Sequence, residues 1–444
     1  MKQIAKFVAV ALFLLQGTAA LCGGTVPYDT SGIVRRTVGL VLSGGGAKGL
    51  SHIGVIKALE ENGIPVDYVC GTSMGAVIAS MYAIGLSPEE MEDIVKSAEF
   101  EAWCSGKQER RMASWFYRDE PVPAMVTLPL HKKGGKLALS LPSSLVVPYP
   151  LDLAMMDIYA SPSVASGQEF ERLMVPFFCV SSDIKEKLKV VHTGGDLGGA
   201  VRASMTYPFV FKPITIDSTV LFDGGFYDNF PWQEMARIHS PDVIIGAKCV
   251  EDDPPLDDED VVGHITHMIM QQTNFNIPGE KGLVIEGVYP YGVMEFDKTD
   301  EIISLGYANA SAYMDSLLQI VNAVRSRREL DSMRMEFRQR CKKVMFAPEI
   351  VFEGNLSEKS KEFVSDAITG GKGEPFGFAM LRQGYYRAAS AGLLRTFYPS
   401  YEFRGDSLLN LKVKCSAESP LKVQVGGNIS SGRYTQGYFG VSYT

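Results

Sequence analysis

The sequence has few of the residues that build metal centres. Six histidines and seven cysteines occur among 444 residues, and no C-x-x-C, H-x-x-x-H or H-E-x-x-H spacing is present. The cysteines are scattered and odd in number, and Cys70 and Cys179 fall in apolar stretches typical of buried core thiols. We therefore predict no catalytic metal and no other cofactor.

Positive charge is not in excess either. Lysine and arginine total 43 against 51 aspartates and glutamates, which gives a net charge of −8. This balance offers no support for a nucleic-acid partner. Hydrophobic residues make up 46% and charged residues 21%, as in ordinary globular proteins, and the length suggests two or three domains.

Apolar runs long enough to cross a bilayer, which takes about 20 residues, are also missing. A short run, Phe7–Leu15, follows two lysines and precedes small residues that suit a cleavage site. This order is typical of a secretory signal. It predicts a signal peptide over residues 1–20 and an exported protein, located in a bacterial cell envelope (periplasm or outer membrane) or secreted.

Residues 36–324 have the pattern of an α/β domain. Continuous apolar strands such as "GLVL" and "VIIGAK" alternate with amphipathic helices, which favours a mostly parallel central sheet covered by helices on both faces. A charged helical linker is predicted over 325–347. A β-α-α-β-β pattern over 348–415 predicts a small α+β domain, and 416–444 predicts a β-hairpin.

The alternation lapses between residues 99 and 166. The apolar, proline-broken stretch "LALSLPSSLVVPYPLDLAMM" lies there. Two interpretations stay open for it: peripheral packing, or the wall of a pocket for an apolar chain.

The stretch "YVCGTSMGAVIAS" places a serine at a strand-to-helix joint. Gly71, Ser73 and Gly75 form the spacing G-x-S-x-G, which is typical of a nucleophile elbow. Side chains at the two glycines would collide with neighbouring strands and helix, whereas the serine oxygen would stand clear at the sheet edge. A glycine-rich turn without a chemical role is the alternative interpretation.

A second glycine loop, "SGGGAKG", follows the first strand. Amides of Gly44, Gly45 and Gly46 are suited to hold an oxyanion. The spacing from Gly44 to Gly49 also occurs in dinucleotide-binding folds, but these need an acid at the end of the second strand. Here Asp67 begins that strand. Nucleotide binding therefore stays the weaker alternative.

No histidine occurs in a context that suggests a catalytic base. His52 is better explained by packing or capping. The acid that ends a strand in "TVLFDGGFYDNFP" is a stronger candidate: Asp223 is followed by Gly224 and Gly225. A carboxylate can accept a serine proton directly if the oxyanion is well stabilised. An aspartate that merely caps a turn is the alternative.

Four stretches in order resemble the patatin-like phospholipases of bacteria: "GLVLSGGGAKGLSHIGVIKALEENGI", "GTSMGAVIASMYAIG", "VRASMTYPFVFKPI" and "LFDGGFYDNFP". The resemblance implies a three-layer α/β sandwich and hydrolysis of fatty-acyl esters through an acyl-enzyme. It implies a Ser–Asp dyad in which Ser73 is the nucleophile and Asp223 the general base. It further implies that Asn229 and Pro231 shape the loop behind Asp223, and that Ser204 and Pro208 lie near the site.

The C-terminal region resembles a polypeptide-transport-associated (POTRA) domain followed by the opening strands of an outer-membrane barrel. The residues after Cys415 suffice for two or three strands only, whereas small closed barrels need about eight. This leaves a truncated barrel or a hairpin that completes another sheet.

Together these features predict an exported serine lipid acyl hydrolase that acts on phospholipids or lysophospholipids. Membrane lipids are the expected substrate, and association with the outer membrane through the C-terminal region is the expected contact. An envelope transport or assembly module, in which the patatin-like domain is a passenger or scaffold, is the alternative function.

Overall fold

The computed structural model describes residues 35–106, 124–133, 136–139, 144, 146–251, 270–405, 407–428 and 436–443. The predicted signal peptide lies outside these residues. One compact unit spans Thr37–Thr444 and contains every element named below. Within the described ranges, no helix is both long and apolar enough to span a bilayer.

Sixteen strands are described: β1 Val38–Leu42, β2 Tyr68–Thr72, β3 Ala124–Lys133, β4 Lys136–Leu139, β5 Phe177–Asp183, β6 Leu188–His192, β7 Ile214–Ile216, β8 Thr219–Asp223, β9 Val243–Lys248, β10 Gly282–Glu286, β11 Met345–Phe346, β12 Val351–Glu353, β13 Leu394–Phe403, β14 Leu408–Ala417, β15 Leu421–Asn428 and β16 Gln436–Tyr443. The described α-helices are α1 Ser51–Glu61, α2 Met74–Ala83, α3 Pro88–Val95, α4 Ala98–Ser105, α5 Tyr149–Ser166, α6 Leu197–Ser204, α7 Trp232–Ile238, α8 Thr299–Ser311, α9 Met314–Val321, α10 Arg327–Arg340, α11 Glu358–Thr369 and α12 Phe378–Ala389.

The central sheet is mixed: the predicted parallel pairing is found in one part of it and not in the other. Its order is β10-β9-β1-β2-β5-β8-β7, with β6 also paired to β5. The five strands from β10 to β5 are parallel, whereas β6, β7 and β8 pair in antiparallel fashion. Strand β8, which ends in Asp223, is not buried along its whole length as a parallel strand would be, because Val220 is 48% exposed.

Helices cover both faces of this sheet, as the α/β prediction requires. Successive residues of a strand point to opposite faces, so Leu40 packs in the cluster with α1, α2 and α8. Val41 packs with Trp232 and Met235 of α7 on the other face. The side chains of Cys70 and Cys179 are fully buried in these layers, as their apolar surroundings predict.

The segment predicted as a linker packs against the α/β domain. Helix α10 buries Leu330 and Phe337, and its Arg334 forms an ion pair with Glu60 of α1. The loop before α10 is also anchored, since Arg325 binds Asp67 with an N–O distance of 2.7 Å. The domain boundaries themselves stay predictions.

The C-terminal α+β domain has the predicted order of elements. Strand β14 is central and pairs with β11 and β12 in parallel and with β13 in antiparallel fashion. Its core also takes in Leu153, Met156 and Ala160 of α5. Other residues of α5, such as Tyr159, pack in the core of the central sheet. Because α5 is buried on two faces, it joins both cores.

The predicted C-terminal hairpin consists of β15 and β16, which pair in antiparallel fashion. Strand β15 also pairs with β3, and the four strands form a sheet of order β16-β15-β3-β4. Strands β3 and β4 come from the region between residues 99 and 166, so the hairpin pairs with strands of that region.

Candidate active site

Strands β2 and β8 meet end to end along one edge of β5. Strand β2 runs parallel to β5 and ends with Thr72 opposite Val180. Strand β8 arrives from the other direction and ends with Asp223 opposite Ser181. Because Val180 and Ser181 are consecutive, the residue after Thr72 and the last residue of β8 must be neighbours.

The residue after Thr72 is Ser73, and its hydroxyl donates a hydrogen bond of 2.6 Å to Oδ2 of Asp223. The two side chains are 150 positions apart in sequence, yet no intervening group separates them. The structure thus places two of the residues singled out in the sequence in direct contact. The two side chains meet because β2 and β8 pair with consecutive residues of β5.

Ser73 occupies a backbone conformation that few side chains adopt. Its φ is 56° and its ψ −125°, and a non-glycine residue with positive φ is uncommon. Such conformations cost about 1–3 kcal/mol and persist only where the surroundings hold them. Here the amide of Ser73 donates to Oγ of Ser204 (3.0 Å). Ser204 Oγ in turn donates to the carbonyl of Val180 (2.6 Å), which fixes the turn to β5.

The glycines of the G-x-S-x-G motif are required by close backbone packing. A Cβ on Gly71 would lie 2.4 Å from the carbonyl carbon of Gly75, and one on Gly75 would lie 2.4 Å from the carbonyl oxygen of Leu42. Strand β1, the elbow and helix α2 therefore approach each other without space for side chains. This is the collision predicted from the sequence. Gly49 serves a similar purpose, since its Cβ would lie 2.7 Å from that of Met74.

The Asp223 carboxylate is buried, with 4% of the residue exposed. Burial is the largest influence on this group and raises its pKa from 3.8 to about 6, although hydrogen bonds from Ser73 and from the Gly225 amide act to lower it. The Gly225 amide donates to Oδ1 (2.8 Å), which leaves Oδ2 to the serine. At pH 7 such a carboxyl is mainly ionised, and it is close to the range that suits a general base.

Gly224 lets β8 approach the elbow. A Cβ at this position would lie 2.1 Å from the carbonyl oxygen of Val180 and 2.8 Å from Cγ2 of Thr72. The backbone amide of Asp223 is held by the carbonyl of Thr206 (2.9 Å). The backbone on either side of the Asp223 side chain is thus held in place, by Thr206 at its amide and by close packing at Gly224.

The glycine loop lies against this pair, but its three amides differ in what they bind. The Gly44 amide donates to the carbonyl of Asn229 (3.2 Å), so the predicted role of Gly44 as an oxyanion donor needs correction. A Cβ on Gly44 would lie 2.3 Å from Oδ1 of Asn229 and 3.0 Å from Cβ of Ser73. Gly44 therefore brings the loop close to the serine rather than donating to substrate.

The next two amides are better placed for an oxyanion. Among the described residues, no backbone hydrogen bond between loops uses the amide of Gly45 or Gly46. Gly46 has a φ of 57°, and a Cβ there would lie 2.2 Å from the Val293 carbonyl oxygen, so a side chain would be excluded. Helix α2 begins directly after Ser73, and its N-terminus favours negative charge at the same place.

Asn229 connects the two loops. Its carbonyl accepts from Gly44, its Nδ2 donates to the Gly44 carbonyl (3.4 Å), and its amide donates to Oγ1 of Thr273 (3.3 Å). Asn229 thereby holds the glycine loop to the segment that follows Asp223. Pro231 comes just before α7, and Pro208 lies in the loop between α6 and β7.

No described histidine contacts Ser73. Nε2 of His52 bonds to the Ser43 carbonyl (2.8 Å), His192 lies against Ser181 (2.7 Å), and His239 stacks on Tyr68. Burial lowers the pKa of each of these imidazoles to about 4. His264 and His267 lie outside the described residues, as does the side chain of His131.

The sequence reasoning missed a buried ion pair behind the site. Arg202 on α6 is fully buried and binds Oδ1 of Asp152 on α5 (2.8 Å). It also donates to Oγ1 of Thr206 (2.7 Å), the residue whose carbonyl holds the Asp223 amide. The signal was an arginine in the otherwise apolar and small-residue helix "LGGAVRAS".

Ser73 with its positive φ, the buried Asp223 carboxylate and the glycine loop thus lie together at one edge of the sheet. Residues 40–129 and 177–236 match the sequence model of the family described as patatin-like phospholipase. Within these ranges the chain is similar to the patatin-like phospholipases, and the matched residues include both Ser73 and Asp223.

Two curated relatives with similar sequences come from fungi. The chain is 30% identical over 325 residues to the lysophospholipase nte1 of Emericella nidulans, and 27% identical over 313 residues to the lysophospholipase NTE1 of Debaryomyces hansenii. Each match covers 64% of this chain and 18% of the relative. The chain thus matches less than a fifth of the length of these relatives.

Among solved structures, VipD from Legionella pneumophila is similar with a TM-score of 0.36 and 12% sequence identity, over 84% of both chains. ExoU in its complex with SpcU from Pseudomonas aeruginosa is similar with a TM-score of 0.29 and 16% identity, over 69% of this chain and 58% of that one.

The prediction of an exported protein of the bacterial envelope is wrong. The curated relatives are lysophospholipases of fungi, which are not bacterial envelope proteins. That prediction depended on the order of charged, apolar and small residues in 1–20, which lie outside the described residues.

Proposed function

We propose that the chain hydrolyses fatty-acyl esters of phospholipids or lysophospholipids through an acyl-enzyme, with Ser73 as nucleophile and Asp223 as general base. The observation that carries the proposal is the 2.6 Å hydrogen bond between the two side chains. The names of the fungal relatives support the lipid substrate.

The first half of the reaction forms the acyl-enzyme. Ser73 Oγ attacks the ester carbonyl carbon as its proton moves to Oδ2 of Asp223, and the amides of Gly45 and Gly46 with the N-terminus of α2 stabilise the oxyanion. The tetrahedral intermediate then expels the alcohol, which takes the proton from Asp223. In the second half, water attacks the acyl carbon as Asp223 removes its proton. The bond to Ser73 Oγ then breaks, Oγ takes the proton back from Asp223, and the fatty acid leaves.

The dyad suits this sequence of transfers because a backbone amide, and not a third side chain, orients the base. The Gly225 amide holds one carboxylate oxygen and the serine holds the other. Burial keeps the pKa of Asp223 near 6, so the carboxyl both accepts and returns a proton near neutral pH.

Ester hydrolysis by single variants tests the proposal. Ser73→Ala and Asp223→Asn are each expected to abolish release of fatty acid from lysophosphatidylcholine and phosphatidylcholine vesicles. Asp228→Asn is the matched control, because Asp228 is also buried and follows the same strand, but pairs with Lys189 (2.8 Å) rather than with the serine. Full activity of either dyad variant would refute the assignment.

A non-catalytic scaffold is separated from the enzyme by the same assay, since a scaffold would release no fatty acid in any variant. The resemblance of residues 348–415 to a POTRA domain stays a prediction.

A further inference from the structure

A cavity of about 220 Å³ lies between the α/β domain and the C-terminal domain. This volume far exceeds the roughly 10–15 Å³ that a single water molecule requires. Its walls come from α5, from the segment between α6 and β7, and from strands β13 and β14. The cavity is separate from the elbow that presents Ser73.

Three cationic side chains line this cavity: Lys212, Arg395 and Lys414. Their charges act on one another. Burial lowers the pKa of Lys212, and the positive charges of Arg395 and Lys414 lower it further. Nζ of Lys212 donates to the carbonyl of Arg395 (3.1 Å) and to Oγ1 of Thr396 (2.7 Å). The ammonium group is thereby held between the two domains.

The carboxylates nearby do not balance these charges. Asp152 also lines the cavity, but its Oδ1 accepts from the buried Arg202. Glu418 acts on Lys212 from a distance only. Within the described part of the chain, none of Lys212, Arg395 and Lys414 has a carboxylate within ion-pair distance, although the whole protein has a net charge of −8.

A neighbouring lysine on the same strand shows the contrast. Lys412 lies two residues before Lys414 on β14, so the two side chains point to the same face. Nζ of Lys412 binds Glu353 (2.7 Å) and Glu402 (2.8 Å). Lys414, opposite Tyr398 in the register, has no such partner and faces the cavity instead.

We propose that this cavity binds a phosphate group. Converging cations in a partly enclosed space favour an anion of high charge, and the fork of an arginine matches two phosphate oxygens at once. The group is supplied by free phosphate or by the exposed monoester head group of a lipid. The proposal does not depend on the activity assigned to Ser73.

Binding of inorganic phosphate, measured by calorimetry, is the first arm of the test. The wild-type protein is expected to bind, and Lys414→Gln and Arg395→Gln are each expected to weaken binding by about tenfold, the size of one hydrogen bond to a charged group. Lys412→Gln is the matched control and is expected to change the affinity by less than about twofold.

Co-sedimentation with vesicles is the second arm, performed with Ser73→Ala so that the lipids are not consumed. Phosphatidylcholine vesicles with and without phosphatidic acid are compared. Phosphate binding without vesicle binding identifies the free anion as ligand; binding that requires phosphatidic acid and Lys414 identifies the lipid head group. The proposal is overturned if neither probe binds, or if Lys412→Gln weakens binding as much as Lys414→Gln does.

Discussion

The buried charge of Asp223 has a cost to stability that can be measured. Its carboxyl is held in the protein interior with one serine and one amide as partners, and burial raises its pKa from 3.8 to about 6. Between these two pH values the folded protein binds a proton that the unfolded chain has lost. The unfolding free energy must therefore fall as the pH rises through this interval.

The change in unfolding free energy follows from the width of this pH interval. A slope of about 1.36 kcal/mol per pH unit between 3.8 and about 6 gives roughly 3 kcal/mol. Asp223→Asn removes the titrating group. The difference in unfolding free energy, variant minus wild type, is expected to be constant below about pH 4, to rise by roughly 3 kcal/mol, and to level off above about pH 6.

Urea unfolding of both proteins at half-unit steps from pH 3 to pH 8 measures this difference. Ser73→Ala supplies an independent check. Because the serine hydrogen bond acts to lower the pKa of Asp223, its removal is expected to move the plateau to higher pH. A difference that does not change with pH, or one that decreases as the pH rises, would refute the account of Asp223 as a buried base.

Three further outcomes are expected. The kcat/KM for ester hydrolysis should fall about tenfold per pH unit below an apparent pKa of about 6, because protonated Asp223 cannot accept the serine proton; a profile that is flat down to pH 4.5 would contradict this. Gly44→Ala should lower kcat by about 100-fold, since its Cβ would displace Ser73 or Asn229, while Gly279→Ala, where a Cβ has open space, should not. Ser204→Ala should lower kcat about fivefold with an unchanged KM, because the Ser73 amide loses one hydrogen bond; an effect on KM alone would argue against a positioning role.

The sequence was most informative where chemistry and packing require the same residues. Gly71 and Gly75 leave no alternative at the elbow, because backbone atoms of β1 and α2 occupy the space of their side chains. The motif therefore predicts both the turn and the serine at its tip. The order of elements in the C-terminal domain was predictable for a similar reason, since its helices and strands have distinct periodicities.

The sequence could not reveal how the acid reaches the serine. An apolar run that ends in Asp223 suggests a parallel strand whose end shares an edge with Ser73. Strand β8 in fact runs antiparallel to β5 and reaches the same point from the opposite side. Strand direction depends on pairing with β5, more than 30 residues earlier in the chain, and no local pattern encodes it.

The same limit applies to interactions between distant polar side chains. Arg334 and Arg202 are both buried, yet in the sequence they resemble ordinary solvated charges. Their partners, Glu60 and Asp152, lie on other helices. The amide of Gly44 was assigned to the substrate for a comparable reason: the carbonyl of Asn229 that accepts it comes 185 positions later.

Covalent labelling tests the dyad most directly. A fluorophosphonate reacts with a serine only when a base removes its proton and the oxyanion is stabilised. After digestion and mass spectrometry, we expect one adduct, on Ser73, which is nearly absent in Asp223→Asn and retained in Asp228→Asn. An adduct on another serine, or undiminished labelling of Ser73 in Asp223→Asn, would contradict it.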